Sequence, residues 1–314
     1  MKSLAVLVLL LLASPSFAGL DRFLSEKDYV NEASAIAANV DAFQAVFKKY
    51  PQAKIYGGAP RDFLLWLNRQ FDSITSKDDA LKKLKDLKKG EAVSADSFLL
   101  EHSDIDLILD EELKSGDKDE VLTYAKSKRT IQRINGKRYF SDLQVQTELA
   151  QGYAPAEKLY FDGKKIHSAP KFSDGLNEFY HDSFSLTLTE PSKFWESHYA
   201  KLKLNHPILI SLRYLRILSQ SGRSQRSPLE RDTLAQIKSS IETWKKDGHF
   251  QECLTEVNFV KFLEKSISTV AHTHQVAGLS LKLLKDSGIH DWLSQAHPNY
   301  ANLVKSCEEK MMAK

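Results

Sequence analysis

Apolar positions along the chain first recur at helical spacing. Between residues 20 and 50, Val30, Ala33, Ala37, Val40, Phe43 and Phe47 keep an i, i+3/i+4 rhythm, with Phe23 two turns earlier. Ser25 with Asp28 three residues on suits a helix start, and Pro51 suits a stop, so one helix is predicted here. Lys54-Ile55-Tyr56 reads as a strand, and Phe63-Leu64-Leu65-Trp66 begins the next helix. Residues 76–90 predict a capped amphipathic helix with Leu81, Leu84 and Leu87 on one stripe and Lys82, Lys83, Lys85, Lys88 and Lys89 on a solvated face. A strand follows around residues 104–109, then a helix over 115–128. Two hairpins are predicted at Asn135-Gly136 and Asp162-Gly163, dipeptides that accept the positive φ of tight turns. Residues 183–188 read as a further strand. Beyond residue 197 only helical rhythm remains, as in Leu209, Leu212, Leu215, Ile217 and Leu218. The pattern is that of an α+β head with a small mixed β-sheet flanked by helices, followed by an all-α helical domain.

The extreme N-terminus departs from this globular pattern. Lys2 precedes an apolar run from Leu4 to Ala13, and small residues stand at Ser16 and Ala18. This arrangement predicts a signal peptide over residues 1–18, cleaved after Ala18, and an exported protein, periplasmic or secreted. The run is short for a bilayer, and no later stretch is apolar enough, so no transmembrane segment is expected. The mature parts are then a head at 19–195 and a helical neck and body at 196–314. With 44 basic against 41 acidic residues in the chain, charge alone does not argue for a nucleic-acid partner. Cys253 and Cys307 could pair in an oxidising compartment, which their spacing does not decide. The alternating His272-Thr273-His274 has no carboxylate set nearby in sequence and is not read as a metal site.

The candidate chemistry lies between residues 54 and 110. Gly57-Gly58-Ala59-Pro60-Arg61-Asp62 joins a strand to a helix. Glycines there let backbone approach a phosphate that the helix N-terminus favours. Asp104 and Asp106 alternate on a strand, so both carboxylates are expected on one face, where a hard cation such as Mg²⁺ would relieve their repulsion.

This order of residues resembles the GGxxRD…DxD signature of polymerase-β-type nucleotidyltransferases, in particular class II tRNA nucleotidyltransferases and bacterial poly(A) polymerases. Farther on, Phe179-Tyr180-His181-Asp182-Ser183-Phe184 is similar to the family's RRDFT segment, with Asp182 matching and Tyr180 and His181 in place of the arginines. The stretch from Asn205 to Gly222 is similar to the neck helix, keeping Arg213, Arg216 and the closing glycine. The family's acidic pair falls on Asn205-His206, and its first neck arginine on Leu209 or Ile210. Its third carboxylate falls nearest Gln144, with Asp142 and Glu148 close by.

The resemblance implies a nucleotidyltransferase head in which Asp104 and Asp106 hold Mg²⁺ and serve catalysis. Gly57, Gly58, Arg61, Asp182, Arg213 and Arg216 would bind the nucleoside triphosphate. The implied reaction transfers a nucleoside monophosphate to a hydroxyl of RNA, a protein or a small molecule. Loss of the base-reading arginine leaves the phosphate end of such a site without its base end. The alternative is an inactive nucleotidyltransferase fold that binds nucleotide or RNA, or serves a structural role.

Overall fold

The structure, a computed structural model, describes residues 20–99, 104–108, 120–125, 128–133, 152–169, 174–188, 207–223, 225–246, 260, 263–264, 266–267, 279–297, 299–302 and 305. The expected signal peptide, the Asn135-Gly136 turn, residues 142–148, Asn205-His206, Cys253, Cys307 and the His272-Thr273-His274 triplet lie outside these residues.

After a 3-10 turn at Leu20–Arg22, the predicted single helix is two, α1 (Glu26–Ala37) and α2 (Asp41–Lys49). Ser25 caps α1 as expected, its Oγ accepting from the Asp28 amide. The helix breaks because Val40 is extended and forms a parallel bridge with Val93, where Asn39 accepts from the Val93 amide and Val93 from that of Asp41. Apolar rhythm continues through the break, so periodicity alone could not locate it.

Strand β1 (Lys54–Tyr56) feeds α3 (Gly58–Arg69), and α4 (Lys77–Lys89) follows with Ser76 as its N-cap. The buried stripe of α4 is carried by Ala80 and Leu84; Leu81 is 45% exposed, which corrects its assignment to the stripe. Next come β2 (Asp104–Ile108), β3 (Glu120–Ala125) and β4 (Lys128–Arg133). Residues 120–125 are therefore strand where a helix was expected. Their pairing with both β2 and β4 overrides local propensity. Likewise residues 130–133 pair backward with β3.

Strands β5 (Gly152–Tyr153), β6 (Leu159–Phe161) and β7 (Ile166–Ser168) precede α5 (Asp174–Tyr180) and β8 (Thr187–Leu188). The sheet order is β4-β3-β2-β1-β6-β7, while β5 and β8 form a separate ribbon. Every pair of strands among the described residues is antiparallel, so the small sheet they form is not the mixed one predicted. The Asp162-Gly163 hairpin forms as expected. Gly163 has φ 87°, and Asp162 Oδ1 accepts from the amides of Lys164 and Lys165.

The register sorts the sheet into two rows. Leu107, Ile55, Phe161 and Ile166 are cross-strand partners in sequence, and all are buried. They belong to the same buried cluster as Phe43, Phe63 and Phe98, whose rings pack together and reach the row through Phe43 and Phe161, with centroids 5.8 Å apart. Each fully buried Phe of this kind is worth about 1.5–3 kcal/mol. Helix α3 lies across this apolar face, and every residue from Ala59 to Asn68 is buried.

The helical part comprises α6 (Pro207–Gln220), α7 (Pro228–Lys246), α8 (Leu279–Asp286) and α9 (Ile289–Ala296). α7 begins with a buried capping box. Ser227 Oγ accepts from the Glu230 amide, and Glu230 Oε2 accepts from the Ser227 amide. One continuous cluster of buried apolar side chains runs from the sheet through α3 into these helices. No helix among the described residues is long and apolar enough to cross a membrane.

Candidate functional site

Gly57 turns β1 into α3 with φ 71° and ψ −118°, a conformation open to glycine and strained for any other residue. This bend stands directly beside β2, because Tyr56 is the register partner of Asp106. A Cβ placed on Gly57 would lie 3.9 Å from Asp106 Oδ2. The Asp106 carboxylate, on an exposed residue, therefore sits over the turn that opens α3. Gly58 and Ala59 fall in the first helical turn, where amides lack an i−4 acceptor, and Pro60 has no amide hydrogen. Asp104 lies two residues earlier on β2, opposite Thr123. Its expected side-chain orientation falls outside the described side chains.

The other predicted site residues are tied into structure. The Gly57 amide donates to Leu159 O across β6, which leaves Gly58 and Ala59 as the first-turn amides without a helical acceptor. Arg61 is buried, its Nε 2.7 Å from Asp62 Oδ1 and its Nη1 3.0 Å from Glu157 Oε1. Burial works against its charge, but Asp62, Glu157 and Asp106 outweigh that and hold its pKa above the ordinary value. Arg216 donates to Asp62 Oδ2 at 3.1 Å, joining α6 to α3. Burial lowers the Arg216 pKa, with Asp62 opposing.

Asp182 is buried with φ 47°, and Arg223 pairs with it at 2.9 Å. Arg223 also meets Glu230, so this second ion cluster lies where α5 leads toward α7. Burial raises the Asp182 pKa to about 6, against the pull of Arg223. Arg213 is the exposed arginine of α6. It adds to the burial that lowers the Lys158 ammonium pKa. The two arginines of α6 thus part company, one toward Asp62 and one toward Lys158 and solvent.

Where the family has its arginine pair, Tyr180 donates to Leu24 O and His181 Nδ1 lies 3.2 Å from Asp21. Leu209 and Ile210 are buried in the helical core and offer no polar group to a base. Glu157 had no local signal in the sequence, since its partner Arg61 is remote along the chain. Tyr160 and His167, stacked at 4.7 Å, were detectable only through the alternation of the Asp162-Gly163 hairpin. Among the described residues no group of three or more metal-type side chains comes together. A Mg²⁺ held by one or two carboxylates together with substrate phosphates needs no such group. The chain matches no family model, no curated protein and no solved structure.

Proposed function

We propose that the protein is a nucleotidyltransferase of the polymerase-β type, moving a nucleoside monophosphate from a nucleoside triphosphate to a hydroxyl of RNA, a protein or a small molecule. The observation that carries this is the placement of Asp106 over the Gly57 bend, at the start of α3. A phosphate held at that helix end stands within reach of the carboxylate that its cation needs. Asp104 and Asp106 would hold Mg²⁺, which when bound neutralises charge that grows on the phosphates. The first-turn amides of α3 orient the triphosphate, and Arg213 supplies a cation at the solvent side. The acceptor hydroxyl releases its proton to solvent as its oxygen bonds to the α-phosphorus, in line with the departing pyrophosphate. The pyrophosphate takes the electron pair of the bridging P–O bond that breaks.

Calorimetry of MgATP binding tests the site. Asp104→Asn and Asp106→Asn should each reduce binding at least tenfold, about 1.4 kcal/mol, with an unchanged circular dichroism spectrum. Because Leu209 and Ile210 are core residues, ATP, CTP, GTP and UTP should bind within about tenfold of one another. Parent-like affinity in both variants would place the nucleotide elsewhere.

A second reading has support of its own. Arg61, Arg216 and Asp182 are all held in ion pairs, and the Gly57 amide is spent on Leu159. A chain that keeps the phosphate turn while its cations brace the fold could bind nucleotide without turning it over. Binding of MgATP with no release of pyrophosphate in the presence of RNA would select that reading.

A further inference from the structure

The end of α3 away from the Gly57 bend, roughly 18 Å along a helix of 12 residues, meets α6 and α7 in a second set of charges. Arg69 closes α3 and donates to Gln220 O, the last residue of α6. Gly222, with φ 73°, then turns the chain toward α7. Arg223 follows, its side chain 8% exposed and its guanidinium 5.9 Å from the centre of the Phe184 ring. Its Nη2 donates to Glu230 Oε1 at 2.6 Å, while its Nε stands 2.9 Å from Asp182 Oδ2 without the alignment of a hydrogen bond. Its Nη1 is buried and has no hydrogen-bond partner among the described residues. Arg226, just before the Ser227 cap of α7, adds two more such nitrogens, Nη1 and Nη2. Burial lowers the Arg226 pKa, Glu230 opposes, and the neighbouring charge of Arg223 lowers it further.

We infer that Arg223 and Arg226 together hold a free tetrahedral oxyanion, phosphate or sulfate, where α6 gives way to α7. A guanidinium nitrogen shielded from water and left without an acceptor is costly, so three of them side by side call for an occupant. The nearby carboxylates are already engaged. Glu230 Oε1 accepts from Arg223 and from the Phe184 amide, and its Oε2 accepts from the Ser227 amide. Asp182 faces Arg223 and has only a minor influence on Arg226. Water could accept from these nitrogens, but it would leave two like charges adjacent; an anion answers both needs. Planar guanidinium forks match pairs of phosphate or sulfate oxygens. The N-terminus of α7 adds a favourable dipole, although its capping box already closes on Ser227 and Glu230. Because the three nitrogens are shielded, the occupant is a free ion and not a phosphate carried by a larger molecule. The site stands at the opposite end of α3 from the Gly57 bend and does not depend on the function proposed above.

The test is calorimetry of the full chain with inorganic phosphate, in chloride buffer with EDTA and without nucleotide. The parent should take up the ion with a dissociation constant below about 1 mM, and sulfate should compete for it. Arg226→Met should weaken this uptake at least about tenfold, and Arg226→Lys, which keeps the charge and loses the fork, should fall between. Asp106→Asn should leave it unchanged, which separates this site from the other end of α3. Phosphate should raise the urea midpoint of the parent to a plateau, an effect absent in Arg226→Met; general salt effects act on both alike and do not saturate. In chloride alone Arg226→Met should be at least as stable as the parent, because the stranded charge is gone. Phenyl phosphate should bind at least about tenfold more weakly than the inorganic ion. The inference is overturned by any of four results: no uptake by the parent at about 10 mM phosphate, parent-like affinity in Arg226→Met, a less stable Arg226→Met in chloride alone, or equal affinity for phenyl phosphate.

Discussion

Replacing Asp62 by Ala should cost this protein more stability than its single lost side chain suggests. Asp62 receives Arg61 at 2.7 Å and Arg216 at 3.1 Å, with side-chain exposures of 2%, 5% and 24% respectively. Truncation leaves two guanidinium groups with one ion-paired carboxylate, Glu157, which is 17% exposed, and the weaker influence of Asp106 on Arg61. Removing one partner of a buried pair typically costs about 3–5 kcal/mol, because the charge left behind has lost its water. Arg216 can turn outward and recover some hydration; Arg61 cannot, which puts the expected loss near 3 kcal/mol. With a urea m value of about 3 kcal/mol per molar for a chain this large, the unfolding midpoint should fall by about 1 M. Urea denaturation followed by circular dichroism reads this directly. The double variant Arg61→Met/Asp62→Leu should lose less than Asp62→Ala, since neither member of the closest pair is then stranded. A loss under about 1 kcal/mol for Asp62→Ala, or a double variant worse than the single, would refute the argument from desolvation.

Two further predictions concern stability. Burial pushes Glu178 up to about 8, against hydrogen bonds from Ser185 and Ala156, so the folded state keeps a proton that the unfolded chain releases near its ordinary value. Stability should therefore fall as pH rises toward 8. Between pH 6.5 and 8, above the values of about 6 for Asp72 and Asp182, the decline should be about 2 kcal/mol. Glu178→Gln should flatten that slope, measured by urea midpoints across the interval, even if its overall stability is lower. Ser227→Ala removes the acceptor for the Glu230 amide and for Ser183 Oγ, and should cost about 1–2 kcal/mol in the same assay.

What could be read from the sequence was local. The Ser76 cap with its helix, the Asp162-Gly163 hairpin and the turn from Ile55 through Gly57 into α3 are each specified within a dozen residues, and each is found. The local pattern of β3 predicts a helix, and its partners on β2 and β4 are what decide its state. The break at Val40 depends on Val93, and the fate of Arg61 on Glu157, contacts that leave no mark in the neighbouring sequence. At the site, the closeness of Gly57 and Asp106 followed from order along the chain. For Arg61 the sequence leaves an ion pair with Asp62 or Asp104 as open as a ligand contact, and the structure shows the Asp62 pair. The pairs of Arg216 with Asp62 and of Asp182 with Arg223 leave no such mark, since charged residues look the same whether they face a ligand or each other. The second row of the sheet, from Asp106 through Tyr56 and Tyr160 to His167, needs three registers at once, none of which a motif records.

The alternation within β1 has a consequence for how this chain can change over time. Ile55 belongs to the core row, while its neighbour Tyr56 belongs to the row that begins at Asp106. Gaining or losing one residue in this three-residue strand would swap the rows, sending Ile55 to solvent and Tyr56 into the aromatic cluster. Insertions and deletions here are thus removed by misfolding before any effect on chemistry can matter. Descendants of this chain can shed an activity by exchanging side chains on the open face, yet they keep the spacing between bend and carboxylate. The spatial frame of the site should outlast whatever reaction it serves.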